Sequence, residues 1–218
     1  MSDMFKRVTS VVLAVLILTG TFSIGGLIGA KDIFVPDAQA AEAIDGYFTY
    51  EIDGSGNATI TKCDPSVSGE FSIPPTLGGC DVTAIGDNAF ANCDKITYVY
   101  IHELITRIGQ GAFQDCNNLE KVEFSKNSEI IDIENYTFHY CRKLTDINLP
   151  DGLLSIGDYA FGNCQALKEI KIPDTTEAIG YEAFYYCTSL ESIEIPNIVA
   201  SIGEYAFYGC TSLTSITI

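Results

Sequence analysis

A phenylalanine returns along this chain at nearly fixed intervals. Phe90, Phe113, Phe138, Phe161, Phe184 and Phe207 are separated by 23, 25, 23, 23 and 23 residues. Cysteine follows each of them three positions later, as Cys93, Cys116, Cys141, Cys164, Cys187 and Cys210. Isoleucine leads each unit, as Ile85, Ile108, Ile133, Ile156, Ile179 and Ile202. The shared pattern is I-G-x-x-A-F-x-x-C-x-x-L-x-x-I-x-I-P, and Ile156–Pro173 is its best copy. Alternating stretches such as Ile170-Lys171-Ile172 have the period of a strand with one buried face. Pro150, Pro173 and Pro196 follow such stretches and stop them, because proline has no N–H for a ladder. One short unit cannot bury its own apolar face, but stacked units can. The sequence therefore predicts a β-rich solenoid of about six coils, with strands about 4.8 Å apart and a rod roughly 25–30 Å long. Equivalent Ile, Leu, Ala, Phe and Cys positions become files through one core, and the six phenylalanines become a stacked spine.

Three departures from the pattern matter. The third unit has Glu134 in place of glycine and Thr137 in place of alanine. It is also two residues longer, through Ser128–Asp132, which predicts a bulge there. The first two units carry His102 and Ser125 where later units carry proline. The sixth unit is cut short at Ile218 with no capping segment, so either the natural chain continues or something covers that end.

The amino-terminal segment reads as an export signal. Lys6 and Arg7 precede an uncharged run from Val8 to Ala30, densest at Val11–Leu18, and Ala38-Gln39-Ala40 supplies a small-x-small cleavage site. Cleavage after Ala40 is the reading preferred over an uncleaved anchor, because the strongly apolar core is short for a bilayer span. Either way the rest of the chain lies outside the cytoplasm, and no second apolar stretch follows. The leader holds equal numbers of basic and acidic residues, so the mature chain keeps the formal net charge of −17. A surface this acidic repels phosphate and argues against nucleic acid as a partner.

The repeat resembles the BspA-like leucine-rich repeats of bacterial surface proteins. The likeness covers residues 85–218, and residues 41–84 resemble the lead-in of that family. Within them Tyr47–Ile52 and Ala58–Thr61 read as a β-hairpin, followed by one half-coil that covers the open end of the stack. The resemblance implies a secreted or cell-surface protein-binding module that adheres to host or matrix proteins, or to other cells. The alternative is a structural spacer or stalk that presents another domain and has no ligand of its own. No enzyme is expected, since no titratable cluster escapes the repeat pattern, and no cofactor or metal is implied.

Each candidate for chemistry has a plain structural reading. Six cysteines at one repeat position read as a file of buried free thiols, because neighbouring Cβ vectors in such a row run parallel rather than toward each other. Cys63 and Cys80 lie outside the repeat and could form one bridge within the cap. Asp53-Gly54-Ser55-Gly56-Asn57 resembles the start of a calcium loop, but it lacks the closing glutamate and reads as a hairpin turn. His102 and His139 are isolated and read as surface residues. The best binding candidates are the outward strand positions of the concave sheet. These are Tyr98, Tyr100, Lys121, Glu123, Asp146, Asn148, Glu169, Lys171, Ser192 and Glu194, with Ser215 and Thr217 continuing the rows. Tyrosine anchors favour the amino-terminal end of this face. A second aromatic row, with Tyr136, Tyr159 and Tyr205 at its centre, falls on the opposite arc and reads as a shield along the edge of the stack.

Overall fold

The computed structural model describes residues 43–218, and the expected leader lies outside them. Sixteen strands are present and no helix occurs among the described residues. In chain order they are β1 (Ala43–Asp45), β2 (Phe48–Ile52), β3 (Asn57–Cys63), β4 (Gly69–Ser72), β5 (Thr76–Leu77), β6 (Cys80–Ile85), β7 (Ile96–Ile101) and β8 (Arg107–Ile108). There follow β9 (Lys121–Phe124), β10 (Asp132–Ile133), β11 (Asp146–Asn148), β12 (Ser155–Ile156), β13 (Ala178–Ile179), β14 (Ser192–Glu194), β15 (Ser201–Ile202) and β16 (Ser215–Thr217). The chain winds through about seven turns of a β-solenoid.

Each coil contributes to two parallel walls. The first wall is built at the leading isoleucines, where β6 pairs with β8 and, further along, β10, β12, β13 and β15 pair in sequence. The second is built at the alternating stretches, where β4, β7, β9 and β11 pair in sequence and β14 pairs with β16. Between the walls runs a turn that is also bonded coil to coil. The amide of Phe138 donates to Ala160 at 2.8 Å, that of Phe161 to Ala183 at 2.8 Å, and that of Phe184 to Ala206 at 2.8 Å. Backbone groups buried by stacking are thus satisfied by the next coil, which a single coil could not do.

The phenylalanine spine forms as expected. Phe90, Phe113, Phe138, Phe161 and Phe184 are fully buried. Successive ring centroids from Phe90 to Phe207 lie 5.0, 5.6, 5.5, 5.3 and 5.4 Å apart, with planes nearly parallel. The spine extends further toward the amino terminus than the repeat pattern indicates. Phe71 stacks on Phe90 at 5.5 Å, and Phe48 packs against both.

The lead-in is more than a hairpin and half a coil. Strands β1, β2 and β3 form an antiparallel unit, β3 then pairs in parallel with β6, and β4 pairs in parallel with β7. The segment before Ile85 therefore supplies a strand to both walls. The Asp53 turn joins β2 to β3, and its carboxylate accepts the amides of Ser55 and Asn57 at 2.8 and 2.9 Å. All eight cysteines are free thiols, Cys63 and Cys80 included.

The two extra residues of the third unit act differently from the expected bulge. They are taken up outside any strand, and among the described residues no ladder joins Arg107–Ile108 to Asp132–Ile133. At the equivalent position of the next coil, Gly157 lies so close to the backbone of Asn135 that a Cβ would stand 2.7 Å from its nitrogen. Glu134 carries such a Cβ, so its coil cannot close onto the preceding one in the same way. Arg107 fills the place, reaching Asp87 at 2.9 Å and Glu134 at 3.2 Å. Thr137, the other departure, is buried and donates its hydroxyl to the carbonyl of Glu134 at 2.7 Å.

Candidate functional site

The second wall aligns the outward residues in two rows. Parallel register sets Glu70 beside Tyr98, Tyr98 beside Lys121, and Lys121 beside Asp146. The other row runs Ser72, Tyr100, Glu123 and Asn148. Lys171 bridges to Glu194, while Ser192 and Glu194 sit beside Ser215 and Thr217. The inward partners Val99, Val122, Ile147, Ile170 and Ile193 are buried, and this alternation fixes the outward side chains on a rigid base.

The amino-terminal part of this face is occupied by its own contacts. Lys121 lies 3.1 Å from Glu123 and 3.5 Å from Asp146, with its ammonium 5.9 Å from the Tyr98 ring centre. The Tyr98 hydroxyl donates to Glu123 at 3.3 Å. The hydrogen bond and charge of Glu123 push the Lys121 ammonium upward in pKa. Desolvation, reinforced by the Glu123 carboxylate, raises the Tyr98 phenol. These groups are exposed enough for water to screen them, so the network orients side chains more than it stabilises the fold.

The ladder breaks after Asn148. Among the described residues no strand pairing joins Asp146–Asn148 to Glu169–Lys171. The Asn148 side chain turns back instead, accepting from the Phe124 amide at 3.2 Å and donating to the Phe124 carbonyl at 3.2 Å. A hollow of about 730 Å³ opens over the break, lined by residues 145–148, 169–171 and 192–194. Asp146, Asn148, Glu169, Lys171, Ser192 and Glu194 all line it, whereas Tyr98, Tyr100, Lys121 and Glu123 lie outside it. The repeat spacing across this break is the regular one, so no sequence signal announces it.

Both histidines are buried, which corrects their reading as surface residues. His102 is 8% exposed, and its ring nitrogens meet the Pro74 carbonyl and the Leu104 amide, each at 3.3 Å. It ends β7 at the position where later coils use proline, and its ring ties the turn back to the lead-in. His139 is 9% exposed and packs between Tyr136, Tyr140 and Tyr159. Its Nδ1 has no hydrogen-bond partner, and burial lowers its pKa.

Parallel walls, short coils and files of identical core residues define a leucine-rich-repeat solenoid. The BspA type leucine rich repeat region matches residues 70–133 and 131–218 in six copies, and the chain belongs to that family. A comparison with curated proteins returns no match. Among solved structures, a leucine-rich repeat protein of T. pallidum is similar at 26% identity and a TM-score of 0.73, over 81% of this chain and 82% of that one. A leucine rich cell surface protein of Faecalibacterium prausnitzii is similar at 30% identity and a TM-score of 0.61, over 81% of this chain and 54% of that one. A leucine-rich repeat protein of Bacteroides ovatus is similar at 29% identity and a TM-score of 0.68, over 81% of this chain and 53% of that one. This chain thus spans about half the length of the last two.

Proposed function

We propose that this chain is a secreted or cell-surface protein-binding module that adheres to matrix or host proteins, or to other cells, through the second wall. The observation that carries this reading is the hollow over the ladder break. There, polar and charged side chains of three coils lie on a rigid base; Asp146 is held near Lys121 and Asn148 on the Phe124 backbone, while Glu169, Lys171, Ser192 and Glu194 make no ion pair among the described residues. Repeat arrays recognise partners by such surfaces, because a stacked backbone holds side chains in place without further ordering cost. The cell-surface description of the Faecalibacterium prausnitzii protein supports the location.

The test immobilises the full chain and measures binding of purified extracellular-matrix proteins and of whole cells. Two double variants accompany it, Asp146→Ala with Glu169→Ala and Tyr98→Ala with Tyr100→Ala. A bound partner lost at least tenfold by the first pair supports recognition at the hollow. A partner retained by both pairs overturns the assignment to this face. Absence of binding across the panel favours the spacer reading.

A further inference from the structure

Cys63 occupies the place of a phenylalanine in the turn. In the repeat, the amide at the phenylalanine position donates to the next coil, as Phe90 does to the Ala112 carbonyl at 2.7 Å. The Cys63 amide makes the equivalent bond to the Ala89 carbonyl at 2.6 Å. The leading position agrees, since Gly86 donates to Ile60 as Gly109 does to Ile85, each at 2.8 Å. Ile60 is therefore the leading isoleucine of the lead-in coil. Its turn is shorter, with Cys63 three residues after Ile60 where Phe90 comes five after Ile85. The rings that cover Phe90 come from elsewhere, from Phe71 and Phe48.

This placement changes the start of the cysteine file. Each later thiol reaches the carbonyl at the phenylalanine position one coil back, as Cys116 reaches Phe90 at 3.1 Å. For Cys93 the residue at that position is Cys63. Among the described residues Cys93 is the one member of the file whose thiol bonds to no carbonyl. It meets the Cys63 thiol instead. A side-chain hydrogen bond between the two is the largest influence on each, raising the pKa of Cys63 and lowering that of Cys93. Both residues are buried in the same core.

Neighbours within the file cannot bridge, because equivalent positions hold their Cβ vectors parallel. Cys63 and Cys93 are not equivalent, so this bar does not apply to them. Strand register excludes the bridge to Cys80 that the sequence left open. Asn57 pairs with Asp81, which sets Cys80 beyond the opposite end of β3 from Cys63. At the rise of a strand that separation is about 20 Å.

We propose that Cys63 and Cys93 are a disulfide-forming pair that fastens the lead-in to the first repeat coil when a low-molecular-weight disulfide oxidises them. One thiolate of the pair attacks the external disulfide, expels a thiol and forms a mixed disulfide. The second thiolate then displaces the other thiol and leaves the Cys63–Cys93 bond. The two cysteines give up their hydrogens and two electrons, and the external disulfide is reduced to two thiols. The closed loop contains β4, β5 and β6, so the bond restricts the unfolded chain far more than the folded one.

The test equilibrates the full chain with reduced and oxidised glutathione, unfolds it, alkylates the remaining thiols and weighs the product. The oxidised parent is expected to carry six labels in place of eight, with no glutathione retained. Cys80→Ser is expected to lose two labels on oxidation as the parent does, while Cys63→Ser and Cys93→Ser lose none. The oxidised parent is also expected to melt about 5 °C or more above its reduced form, a readout that needs no change in the core. Eight labels on the oxidised parent, a loss that persists in Cys63→Ser, or a loss abolished by Cys80→Ser overturns the pair. Equal melting of the six-label and eight-label parent overturns its role as a fastening.

Discussion

The thiol of Cys164 donates to the carbonyl oxygen of Phe138, 3.2 Å away on the preceding coil. The same bond joins Cys116 to Phe90, Cys141 to Phe113, Cys187 to Phe161 and Cys210 to Phe184, at 3.1 to 3.2 Å. The Phe138 carbonyl also accepts the amide of Cys141 at 3.1 Å, so the thiol takes up a second lone pair in a dry core. Cysteine suits this place because it is small, apolar and still a weak donor.

Alkaline sensitivity follows from this file. Burial holds the thiols of Cys116, Cys141, Cys164 and Cys187 well above their ordinary value of 9.0, and Cys210 is pushed up to about 11. Above pH 9 the unfolded chain releases these protons and the folded chain keeps them. Stability is therefore level below pH 9 and falls as pH rises, by roughly 1.4 kcal/mol per pH unit for each fully buried thiol. Urea unfolding midpoints between pH 7.5 and 10.5 measure this. Cys164→Ala should lower stability at neutral pH and make the alkaline decline shallower; an unchanged decline would refute the explanation.

The spine should be more sensitive in its middle than at its end. Phe161 is fully buried between Phe138 and Phe184, so Phe161→Ala should cost about 3–5 kcal/mol through lost burial and a residual cavity. Phe207 is half-buried and stacks on Phe184 at 5.4 Å, so Phe207→Ala should cost less than half as much. Equal losses in denaturant titration would contradict a continuous spine.

Gly157 tests how closely coils approach. A Cβ there would stand 2.7 Å from the Asn135 nitrogen and 2.8 Å from the Glu134 carbonyl carbon, backbone atoms that cannot swing aside. Gly157→Ala should cost about 2–3 kcal/mol by overpacking. Gly152 has open space around its would-be Cβ, so Gly152→Ala should leave the unfolding midpoint nearly unchanged.

His139 should make the fold acid-sensitive. Burial depresses its pKa below the ordinary 6.5, against the opposing pull of Asp115 and Glu182. The unfolded chain takes up a proton as pH falls through 6.5 while the folded chain resists it, so this contribution is present at neutral pH and fades on acidification. His139→Leu should reduce the drop in stability between pH 7 and pH 5. An identical drop in both proteins would remove His139 from the account.

Much of the architecture was legible because it is periodic. The Phe and Cys files, the paired strands and the free thiols of the repeat all follow from equivalent residues meeting equivalent residues. The departure at Glu134 was legible as a place, and its form, an interrupted ladder instead of a bulge, depended on how closely the coils approach. The burial of His102 and His139 was not legible, since an isolated polar residue shows its partners only when the neighbouring coil and lead-in are in place. Phe48 and Phe71 lie outside the repeat, so nothing in the spacing assigned them to the spine. The weight placed on Tyr98 and Tyr100 rested on residue type, and the structure shows the Tyr98 hydroxyl already engaged by Glu123.

By itself the sequence determined that successive units stack, because no single unit can bury its apolar side, and it determined which residues line the interior. The tertiary structure alone decided where the second wall parts between Asn148 and Lys171 and which thiol of the lead-in meets Cys93. Both are set by small differences in how neighbouring coils settle against each other. Such differences arise from the summed packing of many side chains and leave no mark on the period of the chain.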